Sequence, residues 1–274
     1  MRMLVLGGSG LLGGELLSQA RALHIDAIGT STRSTGLTGG EHWRQLDLRD
    51  RQATIELVRA TRAHVVINVA YRQSDWSSTA DGAANAAIAA KSAGAHLVFV
   101  SSDAVFSGAE SPYSERALPD PRTPYGAAKA AAETAVRAIA PACTIARTSL
   151  IISSNGSSVH ERLAHAAARG DGHLFTDDVR CPVHVTDLAG ALLELAHARR
   201  NGMHHLAGPE AMSRYDLGRL ITLRDGLDPT RIQAAQRALL PMPGPLDVRL
   251  DSQATQRAIA TRLRGASSFL TTSG

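Results

Sequence analysis

Seven residues near the start of the chain, Gly7-Gly8-Ser9-Gly10-Leu11-Leu12-Gly13, constrain its fold more than any other segment. They follow an apolar run, Met3–Leu6, and lead into apolar residues at helical spacing over Leu12–Ala22. Glycines at Gly7, Gly10 and Gly13 allow a strand to turn sharply into a helix while its backbone comes close to a ligand. A helix that starts in such a turn points N–H groups and the positive end of its dipole outward, which suits a pyrophosphate. The expected reading is a dinucleotide cradle made of Gly7, Ser9, Gly10, Leu11, Leu12 and Gly13.

The same alternation continues downstream. Strands are predicted at Asp26–Gly29, His64–Ala70, His96–Ser101 and Thr144–Leu150, and helices at Arg51–Thr61, Asp81–Ser92 and Pro124–Ala138. Strands that are apolar on both faces and separated by helices predict an α/β protein with a doubly wound parallel sheet, a Rossmann arrangement. Beyond Leu150 the pattern loosens into helices at Val159–Ala168, Asp187–Ala198 and Ser213–Leu223, a short strand at His204–Ala207 and a proline-rich loop at Leu239–Pro245. This predicts a dinucleotide-binding domain over residues 1–150, with 185–200 returning to it, and a smaller C-terminal α/β substrate domain over 151–274.

Composition excludes several classes. Hydrophobic residues make up 44% of 274 and charged residues 20%, the balance of an ordinary folded domain. No apolar run is long enough for a bilayer, and no secretory pattern precedes the first strand, so no membrane partner and a cytoplasmic location are expected. Two cysteines, Cys143 and Cys181, argue against a disulfide scaffold or a cysteine-rich zinc site and read as buried apolar residues. None of the 11 histidines has metal-ligand spacing, so no metal is expected. A net charge of +4 with 4% aromatic residues is a poor match to a nucleic-acid-binding surface.

Among 29 basic residues only Lys91 and Lys129 are lysines. Lys129 closes the pattern Tyr125-x-x-x-Lys129 at the start of a predicted helix, where positions four apart share a face. An ammonium beside a phenol favours the phenolate, and such a tyrosine exchanges protons with a reacting oxygen near neutral pH. Ser102, at the end of a predicted strand, places a hydroxyl at the sheet edge where parallel-sheet proteins bind ligands. Tyr113 and Tyr215 have no lysine four residues on and read as packing or surface residues. Glu133 and Arg137 read as an exposed i,i+4 pair, and the smooth stripe Ala127–Ala132 as a face that a second copy could cover in a homodimer. After the second strand, no acidic residue occurs between Ile28 and Gly40; Ser31 and Arg33 stand there instead, which suits a 2′-phosphate and predicts NADP(H) over NAD(H). Asp47 and Leu48 fall where adenine would lie, Asp47 accepting from its amino group or capping the next helix.

The glycine turn, Asn68-Val69-Ala70, Ser102 and Tyr125-x-x-x-Lys129 together resemble the extended short-chain dehydrogenase/reductase superfamily. The run Val100-Ser101-Ser102-Asp103-Ala104-Val105-Phe106-Ser107-Gly108 resembles the S-T-D-Y-V-F-D-G signature of the dTDP-4-dehydrorhamnose reductase family. Asp178–Pro182 with Asp187-Leu188-Ala189 resembles its D-Q-x-G-x-P…D-L-A segment, and His204–Gly208 its late H-x-A-G strand. The resemblance implies NADPH-dependent reduction of a keto group on a nucleotide-diphosphate sugar. It casts Tyr125 as proton donor, Ser102 as the hydrogen-bond donor to the carbonyl oxygen, and Lys129 as holding the nicotinamide ribose and lowering the Tyr125 pKa. Asn68, Val69 and Ala70 would line the cofactor. Ser102, Asp103, Arg147, Ser149 and Arg180, with His184, would face the substrate. The chain departs from the family at Ser102, where threonine is usual, at Ala104, where an aromatic is usual, and at Asn68-Val69-Ala70-Tyr71-Arg72 against an N-A-A-A-Y/W run. These departures leave open a reductase or epimerase acting on another carbonyl in natural-product biosynthesis. A third reading is a non-catalytic NADP-binding regulatory subunit, like that of methionine adenosyltransferase.

Overall fold

In a computed structural model, residues 1–33, 42–242 and 244–271 are described. Part of the acid-free stretch after the second strand, and Pro243 in the proline-rich loop, lie outside them.

The apolar runs form β1 (Arg2–Leu6), β2 (Asp26–Ser31), β3 (Trp43–Gln45), β4 (Val65–Asn68), β5 (His96–Ser102) and β6 (Thr144–Thr148). With the strand Gly202–Leu206 they make one seven-stranded sheet, ordered Gly202–Leu206, β6, β5, β4, β1, β2, β3. The pairs β1–β2, β1–β4, β2–β3 and β4–β5 are parallel, with Leu6 opposite Asn68 and Val5 opposite Gly29. Helices α1 (Leu11–Ala22), α2 (Arg51–Thr61), α3 (Gly82–Ser92) and α4 (Pro124–Ile139) connect the strands. Strand order reverses between β1 and β4, and a doubly wound sheet opens its ligand crevice beyond the carboxyl ends at that point. The glycine turn follows β1 there, and Val69-Ala70 follows β4.

Side-chain size sets the packing of this layer. Leu4, Leu6, Val66, Phe99 and Ile145 of the strands are buried against Ala83, Ala86, Ala87 and Ala90 of α3 and Ala132 and Val136 of α4. Alanine allows the helices to approach the sheet closely, at no cost in helix propensity. In α4 the buried positions are Gly126, Ala128, Lys129, Ala132, Glu133 and Val136. Glu133 is therefore not part of an exposed pair with Arg137, because its face of the helix lies on the sheet. Ala128 and Ala132 of the alanine stripe are likewise buried in this chain's own packing.

The chain folds as two compact units. The first is Met1–Ser102, Pro124–Arg147 and Ala189–His204; the second is Asp103–Thr123, Thr148–Leu188 and His205–Gly274. The sequence reading put Asp103–Thr123 in the first domain. Backbone pairing joins it to the second unit: Tyr113 N–H donates to Arg249 O (2.7 Å) and Asp251 N–H to Tyr113 O (2.8 Å). A hydrophobic pattern does not encode such a link, since it is made by main-chain atoms far apart in sequence. The second unit contains α5 (Val159–Ala168), the start of α6 (Val185–His197), α7 (Arg214–Arg224), α8 (Gln253–Ala258) and α9 (Ala266–Thr271). Leu150, Ile152, Ala164, Leu217, Ile221 and Phe269 form its core. Ser158 starts α5 with a capping box closed by Glu161. Both cysteines are free and buried, and burial pushes their thiols up, that of Cys181 to about 11.

Candidate active site

The glycines of the turn are there for different reasons. Gly7 has φ +87°, and a Cβ on it would lie 2.8 Å from Ala70 Cα, so the turn after β1 and the turn after β4 require each other's small size. A Cβ on Gly13 would lie 2.2 Å from Gly7 O. At Gly10 the nearest atom would be Gly7 O at 3.5 Å, an ordinary contact, and its φ of −80° suits any residue. The chain's own packing thus demands Gly7 and Gly13 but not Gly10. Gly10 faces a cleft of about 230 Å³ together with Gly7 and Ser9. α1 opens on this cleft with no side-chain cap and no acidic residue in its first turn. Its leading N–H groups are left for a ligand, which fits a dinucleotide pyrophosphate.

Other walls come from the predicted positions and from several that sequence reasoning missed. Ser31, Thr32, Leu46, Asp47 and Leu48 line one side, and Val69, Ala70, Tyr71 and Arg72 another. Thr30 was missed: its Oγ1 accepts from Gly7 N–H (3.1 Å) and ties the glycine turn to β2. Ser31 Oγ accepts from Arg33 N–H (3.2 Å), leaving the exposed Arg33 side chain just past the strand end. Asn68 does not line the cleft. It is buried, and its Oδ1 accepts from Ala70 N–H (3.1 Å), which shapes the turn that does. Leu12 is buried and Leu11 half-buried; neither lines the cleft. Asp47 is gripped by Arg49 (Nη2–Oδ2 2.6 Å), whose hydrogen bonds hold its carboxyl below the usual carboxylate range. It does not cap α2; Asp50 does, accepting from Ala53 N–H (2.9 Å).

Tyr125 and Lys129 occupy the first two turns of α4, four residues apart and so on one face. Tyr125 is half-buried and Lys129 is 2% exposed. Lys129 Nζ donates to Val100 O (2.9 Å) on β5, two residues before Ser102. It also lies 4.9 Å from the centre of the Phe99 ring and 5.2 Å from that of Tyr71. The Tyr71 and Tyr125 ring centres are 5.7 Å apart. Burial pulls the Lys129 ammonium down to about 7, against a smaller opposing effect of Glu133. Ser102 is the last residue of β5 and half-buried. Tyr113 is a packing residue, buried and stacked on Phe106 with centres 4.0 Å apart.

The substrate-facing candidates separate. Asp103 and Ser149 come together, Ser149 Oγ donating to Asp103 Oδ2 (2.7 Å). Arg180 Nε lies 3.7 Å from the same oxygen, but the rest of its guanidinium is held by structural partners. Its Nη1 pairs with Asp178 (2.9 Å) and donates to Val179 O and Leu246 O, and its Nη2 donates to Pro245 O. Arg214 and Arg237, neither singled out by sequence, converge on the same buried Asp178 (3.4 and 2.5 Å). Arg147 does not face a binding surface. It is buried in β6 and doubly bonded to Glu133 (2.9 and 2.7 Å), because a guanidinium inside the sheet layer needs a carboxylate there. His184 is fixed between Ser154 Oγ (2.9 Å) and Thr186 N–H (3.3 Å). The D-L-A aspartate, Asp187, holds Arg264 (2.8 Å). The last glycine of the H-x-A-G strand, Gly208, leaves room for Pro182 O, which a Cβ would meet at 2.1 Å.

The family model described as the RmlD substrate binding domain matches residues 1–271. The chain belongs to that family. Relatives agree with this placement. The dTDP-4-dehydrorhamnose reductase of Mycobacterium tuberculosis is 30% identical over 262 residues, covering 89% of this chain and 82% of its own. Methionine adenosyltransferase 2 subunit beta of Rattus norvegicus is 26% identical over 241 residues, covering 79% and 70%. Among solved structures, dTDP-4-dehydrorhamnose reductase from Bacillus anthracis in complex with NADP matches with a TM-score of 0.84 at 20% identity, over 98% of this chain and 96% of that one. The last is a likeness of fold, and it extends over both compact units of this RmlD-family chain.

Proposed function

We propose that this RmlD-family chain is a reductase that uses NADPH to reduce a keto group on a nucleotide-diphosphate sugar of the dTDP-4-dehydrorhamnose class. The observation that carries the reading is Tyr125 and Lys129 on one face of α4, with the Lys129 amine linked through Tyr71 to the wall of the cleft that the glycine turn opens. The dinucleotide, when bound, supplies the hydride. Gly7, Ser9, Gly10 and the start of α1 would hold its pyrophosphate, and Asp47 with Leu48 its adenine. Ser31 and Arg33 at the end of β2 support NADP(H) over NAD(H), since neither repels a 2′-phosphate as a carboxylate there does.

The side chains divide the remaining work. Tyr125 Oη delivers the proton to the substrate oxygen as negative charge develops on it, and Ser102 Oγ donates a hydrogen bond to the same oxygen. Lys129, charged below about pH 7, favours loss of that phenolic proton and draws the nicotinamide ribose. Asp103 and Ser149 are the polar pair proposed for the sugar. Arg147 and Arg180 act on architecture, because their guanidinium groups are already engaged.

The test is consumption of NADPH, and separately of NADH, with a panel of nucleotide-linked 4-keto-6-deoxy sugars. The Tyr125→Phe protein is expected to lose about 100-fold or more in turnover while still binding NADPH. Its turnover matching wild type would end the assignment of Tyr125. Tight NADPH binding with no turnover by the wild type would favour the second reading, a regulatory subunit, for which the likeness to the rat beta subunit speaks.

A further inference from the structure

The segment after β4 carries an aromatic residue, Tyr71, where the N-A-A-A run of the resembled family has its last alanine. Core packing does not account for it, since Tyr71 is 53% exposed. What it touches is specific. The ring lies 5.7 Å from the Tyr125 ring and 5.2 Å from the Lys129 ammonium, centre to centre and centre to nitrogen, and the residue also lines the cofactor cleft.

The surroundings of Lys129 explain why that contact matters. Its ammonium carries three N–H donors. Among the described residues it has one hydrogen-bond acceptor, Val100 O, and no ion-pair partner. The nearest carboxylate on its own helix, Glu133, gives both oxygens to Arg147. The charged and titratable groups around Lys129 include Tyr71, Tyr125 one turn back on α4, and Glu133 with its partner Arg147 of β6; β5 offers Val100 O and the Phe99 ring. Glu133 still pulls the ammonium toward its charged form, but its carboxylate is shared with Arg147, and the faces of Phe99 and Tyr71 are further close features that attract a cation. A ring face within about 6 Å of an ammonium does so through its quadrupole, more strongly where water is excluded.

We propose that Tyr71 is a positioning residue for Lys129, holding its ammonium on the ring face beside Tyr125 and favouring the charged form. Phe99 supplies the fixed wall of this cage, being buried in β5, and Tyr71 supplies the wall that also faces the cofactor. The proposal deepens the reductase reading and rests on it for its catalytic meaning, but the placement and charge of Lys129 can be measured without turnover.

The chain has only two lysines, so protein carrying isotope-labelled lysine Cε gives two signals: Lys91, exposed, and Lys129, buried. Their titrations are followed by NMR in wild type, Tyr71→Phe and Tyr71→Leu, with Lys91 as internal reference. In Tyr71→Leu the Lys129 midpoint is expected to fall by about one unit, and in Tyr71→Phe to stay at the wild-type value. A midpoint in Tyr71→Leu that is unchanged or raised overturns the proposal, because the ring is then only a cover that excludes water. A Tyr71→Phe protein that behaves like Tyr71→Leu also overturns it, since the hydroxyl and not the ring face would be acting. In the NADPH assay the pH profile of Tyr71→Leu should shift in the same direction as its Lys129 midpoint. If the wild type turns over no nucleotide sugar, the reductase reading fails, and the lysine titration still decides the role of Tyr71.

Discussion

Gly10 and Gly13 look alike in sequence, yet different forces keep them small. Gly13 is needed by the backbone of the turn, while Gly10 has room for a methyl group and faces the cleft. Gly13→Ala should therefore lower stability by roughly 1–3 kcal/mol, the usual cost of overpacking, or prevent folding. Gly10→Ala should melt within a degree or so of wild type and weaken NADPH binding by about 10-fold, a loss of close backbone approach worth ~1.4 kcal/mol. Thermal denaturation and a binding titration on the two proteins check both statements. If Gly10→Ala bound NADPH as well as wild type, the turn would be a packing device only. At this scale the sequence was readable wherever geometry depends on neighbours in the chain: the glycine turn after β1, the four-residue spacing of Tyr125 and Lys129 on α4, the Ser102 hydroxyl at the end of β5. It was not readable for Thr30 or Tyr71, whose partners lie on other strands and helices.

Helix α4 has two separable faces. Near its start it presents Tyr125; further along it buries Lys129 and Glu133 against the sheet. The Glu133–Arg147 pair has side chains no more than 1% exposed, so its geometry is worth little against a well-packed apolar pair, but breaking it is costly. Glu133→Gln is expected to destabilise the protein by about 3–5 kcal/mol, because it leaves the Arg147 charge buried without a counter-ion. Joint replacement by Glu133→Leu and Arg147→Met should recover most of that loss. Denaturant unfolding of the three proteins measures both quantities, and a single mutant as stable as the double mutant would contradict the account. Sequence periodicity placed Glu133 on a solvated face. The spacing within the helix was read correctly, but which face meets the sheet depends on where β6 puts Arg147.

For the whole molecule, buried bases tie stability to pH. Burial, with smaller contributions from Arg214 and Arg162, takes His160 down to about 3 from 6.5. Its Nδ1 accepts from Arg214 Nη1 (2.8 Å), which only the neutral ring can do. Lys129 falls to about 7 from 10.5, mainly through burial. In each case the unfolded chain holds the proton over a range where the folded chain does not, so His160 adds stability as pH rises from about 3 to 6.5 and Lys129 as it rises from about 7 to 10.5. The melting temperature of wild type should climb on the lower stretch and from about pH 7 to 9, above which the raised thiols of Cys143 and Cys181 work in the opposite direction. His160→Phe should flatten the lower one and Lys129→Met the upper, with Lys129→Met melting above wild type at pH 6 and the gap closing toward pH 10. Parallel profiles for wild type and Lys129→Met would mean that Lys129 stays charged in the fold.

The sequence by itself determined the parts that local rules govern. Apolar runs and helical spacing set the alternation of strand and helix, glycine spacing set the turn between β1 and α1, and the i,i+4 rule set the tyrosine and lysine on a common face. Only the tertiary structure decided the pairings. Arg147 turned inward to Glu133, three arginines gathered on Asp178, Asp103–Thr123 joined the second unit through main-chain bonds, and Tyr71 came to lie over Lys129. Each of these joins groups distant along the chain. A backbone fixes the relative position of residues a turn apart, whereas a long-range charge finds its partner only once packing has chosen which surfaces are dry.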